Sequence, residues 1–224
     1  MAKRRRPGPR RALSEEMILD AAVDLLDEGG IPAASVRSIA ARVGVAPNAV
    51  YTYFPSKAAV LQGVVERILG EVEHDAVVDV ARPWRERVEA LALHLREQVL
   101  AHPAAVPLMI GGPMDGSNAL TLNEQLLELL CDAGLTLPDA ARASYLIVVY
   151  VFGSMALNVA HAPDSGPLPP EADRVAARRE RFSSIPAESF PRSAAATDTI
   201  ASFVTTEQFR WGLHRLLDGI TTQA

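Results

Sequence analysis

Cysteine is almost absent from this chain of 224 residues, and aromatic side chains are scarce. Cys131 is the single cysteine, so no internal disulfide can form and a disulfide-stapled secreted scaffold is excluded. We therefore expect a protein of the reducing cytoplasm in which Cys131 is a passive, buried thiol. Aromatic residues make up 5% of the chain, so any local concentration of them is informative.

Charged residues are absent from 143–162, which is long enough to cross a bilayer. Polar side chains such as Ser144, Asn158 and His161 are scattered through it, and no basic cluster follows. We interpret the segment as a core helix that also meets a partner subunit, and we expect no membrane association.

Positive charge is concentrated at the start of a chain whose net charge is −5. Beyond residue 11, 16 Lys and Arg stand against 27 Asp and Glu, which gives −11. A flexible basic arm over residues 1–12 is typical of contact with a polyanion, either nucleic acid or anionic lipid. No apolar run follows the arm, which excludes a signal peptide. The basic residues are Lys3, Arg4, Arg5, Arg6, Arg10 and Arg11.

Helix signals begin directly after the arm. Ser14 precedes an apolar pattern of helical spacing that ends at Gly29-Gly30. Ser35 can cap a second helix, and Gly44 is placed to end it in the left-handed conformation. These signals predict two short helices joined by a tight connection.

The stretch GVAPNAVYTYFPSK follows and concentrates aromatic residues. Pro47 predicts the first turn of a third, very short helix, whose inner face would be Val50 and Phe54. Tyr51 and Tyr53 then have two interpretations: hydroxyl donors to DNA phosphates, or side chains that pack at a helix junction. Three helices with this turn predict a helix-turn-helix DNA-binding domain over residues 13–60.

Helical patterns continue to the C-terminus, and no strand pattern is present. A long helix is expected from Ser56 to about Val80, linking the two domains. We predict an all-α fold in which residues 61–224 form a larger helical domain for effector binding and dimerisation. Its expected helical segments are 84–101, 104–110, 118–133, 139–161, 171–181, 191–203 and a last striped helix over 205–221.

Two long segments, LSEEMILDAAVDLLDEGG and SVRSIAARVGVAPNAVYTYFPSKAAVLQGV, closely resemble the DNA-binding domain of the tetracycline-repressor (TetR) family. That resemblance covers about residues 12–65. The stretches LNEQLLELLCDAGLTLPDA and FRWGLHRLLDGI also resemble the C-terminal part of the tetracycline repressor's own subgroup. The resemblance implies a homodimeric repressor of a palindromic operator, with an all-helical effector domain behind the DNA-binding domain. Surplus apolar surface on residues 139–161 and 205–221 predicts that these segments of each chain form the dimer interface as a four-helix bundle. We expect a small, mostly apolar molecule to bind among residues 84–152 and release the DNA.

The resemblance also implies roles for individual residues of the DNA-binding domain. Arg37 would reach a guanine and Asn48 an adenine, while Pro47 and Ala49 offer apolar contact to a thymine methyl. Ala46 departs from the hydroxyl residue usual at that helix cap. Tyr51, Tyr53 and Lys57 match phosphate-contacting positions, Thr52 shares their exposed face, and the arm residues Lys3, Arg4, Arg5 and Arg6 add charge.

For the effector domain, the resemblance places Met109 where the tetracycline repressor has a histidine for the drug's magnesium, so no metal or other cofactor is expected. Gln125 matches a polar pocket position. Met114, Leu122 and Ile147 suit a small apolar molecule.

Two other function classes were weighed. An enzyme would need a nucleophile with a base, or a metal cluster, and the sequence presents neither. The eight-residue spacing of His94 and His102 is too wide for a shared metal without outside ligands. A DNA-binding protein whose C-terminal domain only dimerises, without an effector, remains the alternative.

Overall fold

The computed structural model describes residues 13–160 and 166–221, and within these residues it contains helices and no strand, which confirms the all-α class. The arm residues Lys3, Arg4, Arg5 and Arg6 lie outside the described residues. Single turns of 3-10 helix span Pro103–Ala105 and Ser202–Val204. The helices are α1 Glu15–Ala33, α2 Val36–Val43, α3 Pro47–Tyr51, α4 Lys57–Leu69, α5 Asp75–Val78, α6 Trp84–Ala101, α7 Val106–Gly111, α8 Ser117–Asp132, α9 Leu137–Val159, α10 Glu171–Ser183, α11 Pro191–Ala195, α12 Thr197–Ala201 and α13 Thr206–Thr221.

The first two helices begin at the serine caps that the sequence predicts. The Ser14 hydroxyl accepts from the Met17 amide at 3.2 Å, and the Ser35 hydroxyl accepts from the Ser38 amide at 3.1 Å. Within α1 the helical geometry breaks at Gly29-Gly30, where Gly30 has φ 66°, a conformation that favours glycine. We call helices α1–α4 the head and the remaining helices the body. These local hydrogen bonds fix where α1 and α2 of the head begin.

A small aliphatic core holds the head together. Its central side chains are completely buried, which compensates for the low intrinsic stability of the five-residue α3. Helix α4 lies close to α1 at Gly63, where an added Cβ would come within 2.8 Å of Leu19. The core side chains are Ile18, Leu26, Ile39, Val50, Val60 and Val64.

Helix α4 is shorter than the sequence predicts, and the expectation of one helix from Ser56 to about Val80 is wrong. It ends at Leu69, and Gly70 follows. The Asn118 side-chain amide donates to the Glu66 carbonyl at 2.8 Å, and a Cβ on Gly70 would lie 2.7 Å from that nitrogen. The start of α8 therefore occupies the space beside this end of α4, and the chain turns away into α5.

Helix α9 is the central helix of the body. By length and composition alone it could cross a membrane, but only 33% of its most apolar window is buried inside the chain. One face packs against α6, α7, α8 and α13. The buried face includes Ala143, Ile147, Val151 and Met155, at the spacing of a core helix.

Two features of the body differ from the sequence-based expectation: the direction of the α13 stripe and the exposure of Cys131. The apolar stripe of α13 faces inward, since Phe209, Leu213 and Leu217 are buried within their own chain. Cys131 is exposed rather than buried, because Leu129 and Leu130 occupy the inward positions at this end of α8.

Candidate DNA-reading face and apolar cavity

Helices α2 and α3 present a cationic surface. Residues 35–57 contain Arg37, Arg42 and Lys57 and no Asp or Glu, although the whole chain is acidic. Pro47 and Asn48 are exposed at the start of α3. We call the residues Arg37, Pro47, Asn48, Ala49, Tyr51 and Thr52 the DNA-reading face.

The turn between α2 and α3 aims this face. Gly44 has φ 80°, and its amide donates to the carbonyls of Ala40 and Ala41 at 2.9 and 3.2 Å. Ala46 caps α3 without a side-chain hydrogen bond, and Pro47 supplies the preset first turn. Because Val50 is fully buried, Asn48 is held on the outside.

The two arginines of α2 have different surroundings. Arg42 makes a two-bond ion pair with Glu28, including Nη1 to Oε1 at 3.0 Å, which ties α2 to α1. That hydrogen bond lowers the pKa of Glu28 and raises the pKa of Arg42. Arg37 is exposed and makes no hydrogen bond or ion pair with any described residue. Arg37 is therefore the arginine of α2 whose guanidinium is available to a ligand.

Tyr51 and Tyr53 have separate environments. Tyr51 is 50% exposed and has no hydrogen-bond partner among the described residues. The Tyr53 hydroxyl donates to the Leu13 carbonyl at 2.6 Å, so in this structure its proton is not available to a phosphate. Thr52 donates weakly to the Asn48 carbonyl at 3.5 Å.

Lys57 is directed to the protein backbone. Its ammonium donates to the Ile31 carbonyl at 3.0 Å, beside the C-terminal end of α1. A lysine has three donors, so two N–H groups remain. Phosphate contact by Tyr53 and Lys57 stays a prediction, and in the structure both side chains donate to carbonyls at the two ends of α1. The partners are 40 and 26 residues away, which no local pattern reveals.

An apolar cavity of about 200 Å³ lies in the body between α6, α8 and α9. Asn123 is the one polar residue among those that line it. Three of the predicted effector residues, Met114, Leu122 and Ile147, belong to its lining. The other lining residues are Leu69, Val88, Leu91, Ala92, Leu95, Ala119, Leu120, Leu126, Val148, Val151 and Phe152.

Met109 and Gln125 do not line this cavity. Met109 is 2% exposed in the packed core of α7. The Gln125 side-chain oxygen hydrogen-bonds to His74 Nδ1 at 2.9 Å, which orients the amide toward the segment before α5. Tertiary packing turns these two side chains away from the cavity.

Glu66 connects the cavity to the head and was not identified from sequence. Its carboxylate accepts from the backbone amides of Asn118 at 2.7 Å and Ala119 at 3.2 Å, and so caps α8 from α4. Gly116 leaves room for it, because a Cβ there would collide with the carboxylate. One turn beyond Glu66, Leu69 lines the cavity. The sequence does contain one signal for such a contact. Gly116 precedes α8 and has no side chain to cap it, so a cap from elsewhere in the chain could have been expected.

A second connection joins the head to the body through an ion pair. His102 Nδ1 lies 2.8 Å from Asp27 Oδ2, at the junction of α1 and the turn after α6. The hydrogen bond to Asp27 raises the pKa of His102, and burial opposes that shift. His94 instead bonds to the Glu73 carbonyl at 3.1 Å. Within 13–160 and 166–221, no group of three His, Cys, Asp or Glu is placed to hold a metal.

Two family models match the chain. The model described as "Bacterial regulatory proteins, tetR family" matches residues 18–64, and the "Tetracyclin repressor-like, C-terminal domain" model matches residues 80–224. The chain belongs to the TetR family. It is accordingly a DNA-binding transcriptional regulator, with α1–α4 as the DNA-binding unit and the remaining helices as the family's C-terminal domain.

Individual TetR-family proteins are similar over most of the length. An HTH-type transcriptional regulator of Saccharopolyspora erythraea is 30% identical over 80% of this chain and 75% of its own length. The class A tetracycline repressor from transposon 1721 in Escherichia coli is 29% identical over 69% of this chain and 71% of its own. The Streptomyces coelicolor TetR-family protein ActR, solved in complex with (S)-DNPA, is 24% identical with a TM-score of 0.79, covering 95% of this chain and 98% of that chain.

Proposed function

We propose that this chain is a homodimeric repressor that binds a palindromic operator through α3 and releases it when a small apolar molecule fills the cavity of the body. One observation carries the proposal. Helix α4 starts in the DNA-binding head, and its other end both caps α8 through Glu66 and lines the cavity through Leu69. A change in the cavity is thereby linked to the position of the head.

Sequence recognition is assigned to the DNA-reading face. Arg37 and Asn48 are exposed, and their side chains can pair in two-bond fashion with guanine and adenine respectively. Tyr51 has a free hydroxyl for a backbone phosphate. No carboxylate in 35–57 opposes the approach of DNA. The hydrogen bonds of Tyr53 and Lys57 also hold the chain around α3 against the two ends of α1, which fixes the orientation of α3.

Dimerisation is assigned to the exposed apolar face of α9. Tyr145 is 68% exposed and Leu157 is 72% exposed, with Leu146 and Val149 at 50% between them. An apolar surface of this length on a soluble protein favours contact with another subunit. A Cβ on Gly153 meets no atom within 4 Å, so a second helix can approach closely there. Trp211 extends the surface onto α13.

The effector is expected to be neutral and mostly apolar. The cavity offers one amide, Asn123, and no histidine or carboxylate for a metal-bound ligand. At about 200 Å³ it exceeds the roughly 150 Å³ that suffices for benzene in an engineered protein cavity. A compact one- or two-ring molecule therefore fits the space.

The coupling works through differential binding. A ligand that shifts α8 displaces the Asn118 and Ala119 amides to which Glu66 is bonded, and α4 must follow or lose two charge-assisted hydrogen bonds. Paired half-sites lie about 34–36 Å apart per helical turn, so a tilt of each α4 spoils simultaneous contact. A useful switch needs roughly hundredfold preference for the released state, or about 3 kcal/mol.

The test has two stages. Selection of duplexes from a random pool by the purified full chain is expected to yield an inverted repeat, bound far more tightly than random DNA and with strong salt dependence. A thermal-shift screen of small neutral compounds then supplies ligands, which are added to the operator complex. Equal affinity for selected and random DNA would overturn operator recognition. Ligands that stabilise the fold without changing operator affinity would leave a regulator whose body only dimerises.

A further inference from the structure

A second cavity, chemically unlike the first, lies between α10, the end of α9 and the turn Ser202–Val204. Its volume is about 290 Å³. Arg174, Arg178 and Arg181 line it, with Asp173 as the one carboxylate. Three guanidinium groups and one carboxylate leave this cavity positive on a chain whose net charge is −5.

The hydrogen bonds of these guanidinium groups go to neutral acceptors. Arg174 Nε donates to the Pro169 carbonyl at 3.0 Å, and its Nη1 donates to the Asn158 side-chain oxygen. Arg178 Nη2 donates to the Ile200 carbonyl at 3.2 Å, whereas its Nε is buried without a hydrogen-bond partner among the described residues. These bonds orient the groups but do not neutralise their charge.

Arg96 is a further buried cation that interacts electrostatically with Arg174, although it does not line the cavity. It is 7% exposed, and only its Nη1 is bonded, to the Thr206 hydroxyl at 3.1 Å. Its Nε and Nη2 are buried without a hydrogen-bond partner among the described residues, although the guanidinium lies over the Phe209 ring at 5.4 Å. The nearby Glu171 carboxylate bonds to Thr206 instead, at 2.9 and 3.0 Å. Burial lowers the pKa of Arg96, of Arg174 and of Arg178, and the Glu171 carboxylate opposes that shift for Arg96 and Arg174.

Most other described arginines of the body have a carboxylate partner, although the exposed Arg192 has none. The most buried of them, Arg87, has a side chain 8% exposed and reaches the Asp132 carboxylate at 3.3 Å. Buried charges are normally paired in this way, because an unpaired one is costly. Among the described residues, carboxylate partners within 4.0 Å are found for Arg42, Arg67, Arg82, Arg85, Arg87, Arg142, Arg179, Arg210 and Arg215.

We propose that this cavity binds a small organic anion, whose carboxylate or phosphate group lies between Arg178 and Arg181 while its apolar part contacts Leu157 and Val204. A guanidinium presents a planar fork of donors that fits either anionic group. The excess of positive charge in the lining selects an anion of low charge. The ligand class is thus distinct from the neutral molecule assigned to the apolar cavity.

Isothermal titration of the full chain without DNA tests this site directly. The probes are benzoate, inorganic phosphate and benzamide, all at one ionic strength set with chloride. Saturable binding of benzoate or phosphate is expected, with benzamide at least about tenfold weaker than benzoate because it lacks the charge. No saturable binding of either anion overturns the proposal, as does benzamide binding as tightly as benzoate. A carboxylate of a second copy seated in the cavity would give the first of these results.

Variants locate the binding. Arg178→Gln is expected to weaken the anion at least about tenfold. Arg181→Gln keeps the test valid if the first variant does not fold, because Arg181 is exposed and makes no side-chain hydrogen bond with the described residues. The matched control is Arg192→Gln, an exposed arginine outside the cavity. An equal loss in the control, or no loss in Arg178→Gln and Arg181→Gln, overturns the assignment.

Discussion

The DNA-reading face and the exposed face of α9 are two surfaces on which described residues leave groups without partners, and they differ in chemistry. The first exposes Arg37, Asn48 and Tyr51, whose donors and acceptors have no partner on the described chain. The second exposes Leu146 and Val149, each at 50%, which have no polar group to offer. The first surface is therefore suited to phosphates and base edges, and the second is suited to apolar contact with protein.

The largest expected effect tests the apolar side of this comparison. Leu146→Glu combined with Val149→Glu places two carboxylates on the exposed apolar face of α9. We expect the dimer dissociation constant to rise more than about hundredfold, because central interface positions dominate affinity and unpaired buried charge is costly. Sedimentation of the purified proteins measures the change.

The matched control for that experiment is Val78→Glu with Val80→Glu. These valines are 61% and 83% exposed and lie outside α9. The control is expected to remain dimeric. Equal dimer dissociation constants for the two double variants would show that the exposed face of α9 is not part of the dimer interface.

The next effect tests the polar side. Asn48→Ala and Arg37→Ala are each expected to cost about 1–3 kcal/mol of discrimination at one or two base pairs, because each removes a two-bond contact to a base. Binding to matched and mismatched operators measures it. Arg192→Ala removes an exposed arginine far from α3 and serves as control. A loss that is uniform over all DNA sequences would make Arg37 a phosphate contact instead.

A smaller effect tests the link between the two regions. Glu66→Gln replaces one accepting oxygen by a donor that faces the Asn118 or Ala119 amide, so the cap of α8 is weakened. We expect the free energy of unfolding to fall by about 0.5–2 kcal/mol, measured with urea. Glu71→Gln, which removes an exposed carboxylate paired with Arg67, is expected to change it by less than about 0.5 kcal/mol. Equal losses would show that Glu66 has no special role.

The smallest effect is a pH dependence at the second link. The folded pKa of His102 is raised by its bond to Asp27, so the protonated pair stabilises the fold fully below the unfolded histidine pKa. That contribution, at most about 1 kcal/mol, is lost as pH rises through the folded pKa. Urea unfolding across this window is expected to show the loss in wild type and in His94→Gln, but not in Asp27→Asn. A pH profile unchanged by Asp27→Asn contradicts the assignment.

The beginnings of the head's helices were predictable because their causes are local. Ser14 and Ser35 cap their helices through bonds three residues away, and Gly44 ends α2 through carbonyls three and four residues back. Interactions between residues three or four apart can be predicted from the sequence, because both partners lie in the same short segment. The burial of Val50 and the exposure of Asn48 and Tyr51 follow from helical spacing.

The sequence alone therefore predicts the all-α class, the helix-turn-helix and the outward position of Asn48 and Tyr51. Only the tertiary structure decided the rest. Glu66 and Asn118 meet across 52 residues and accompany the end of α4 at Leu69, where the sequence predicted a helix to Val80. Tyr53 was directed across 40 residues to the Leu13 carbonyl. Such partners are set by how helices pack, because a side chain's nearest donor or acceptor depends on elements that are remote along the chain.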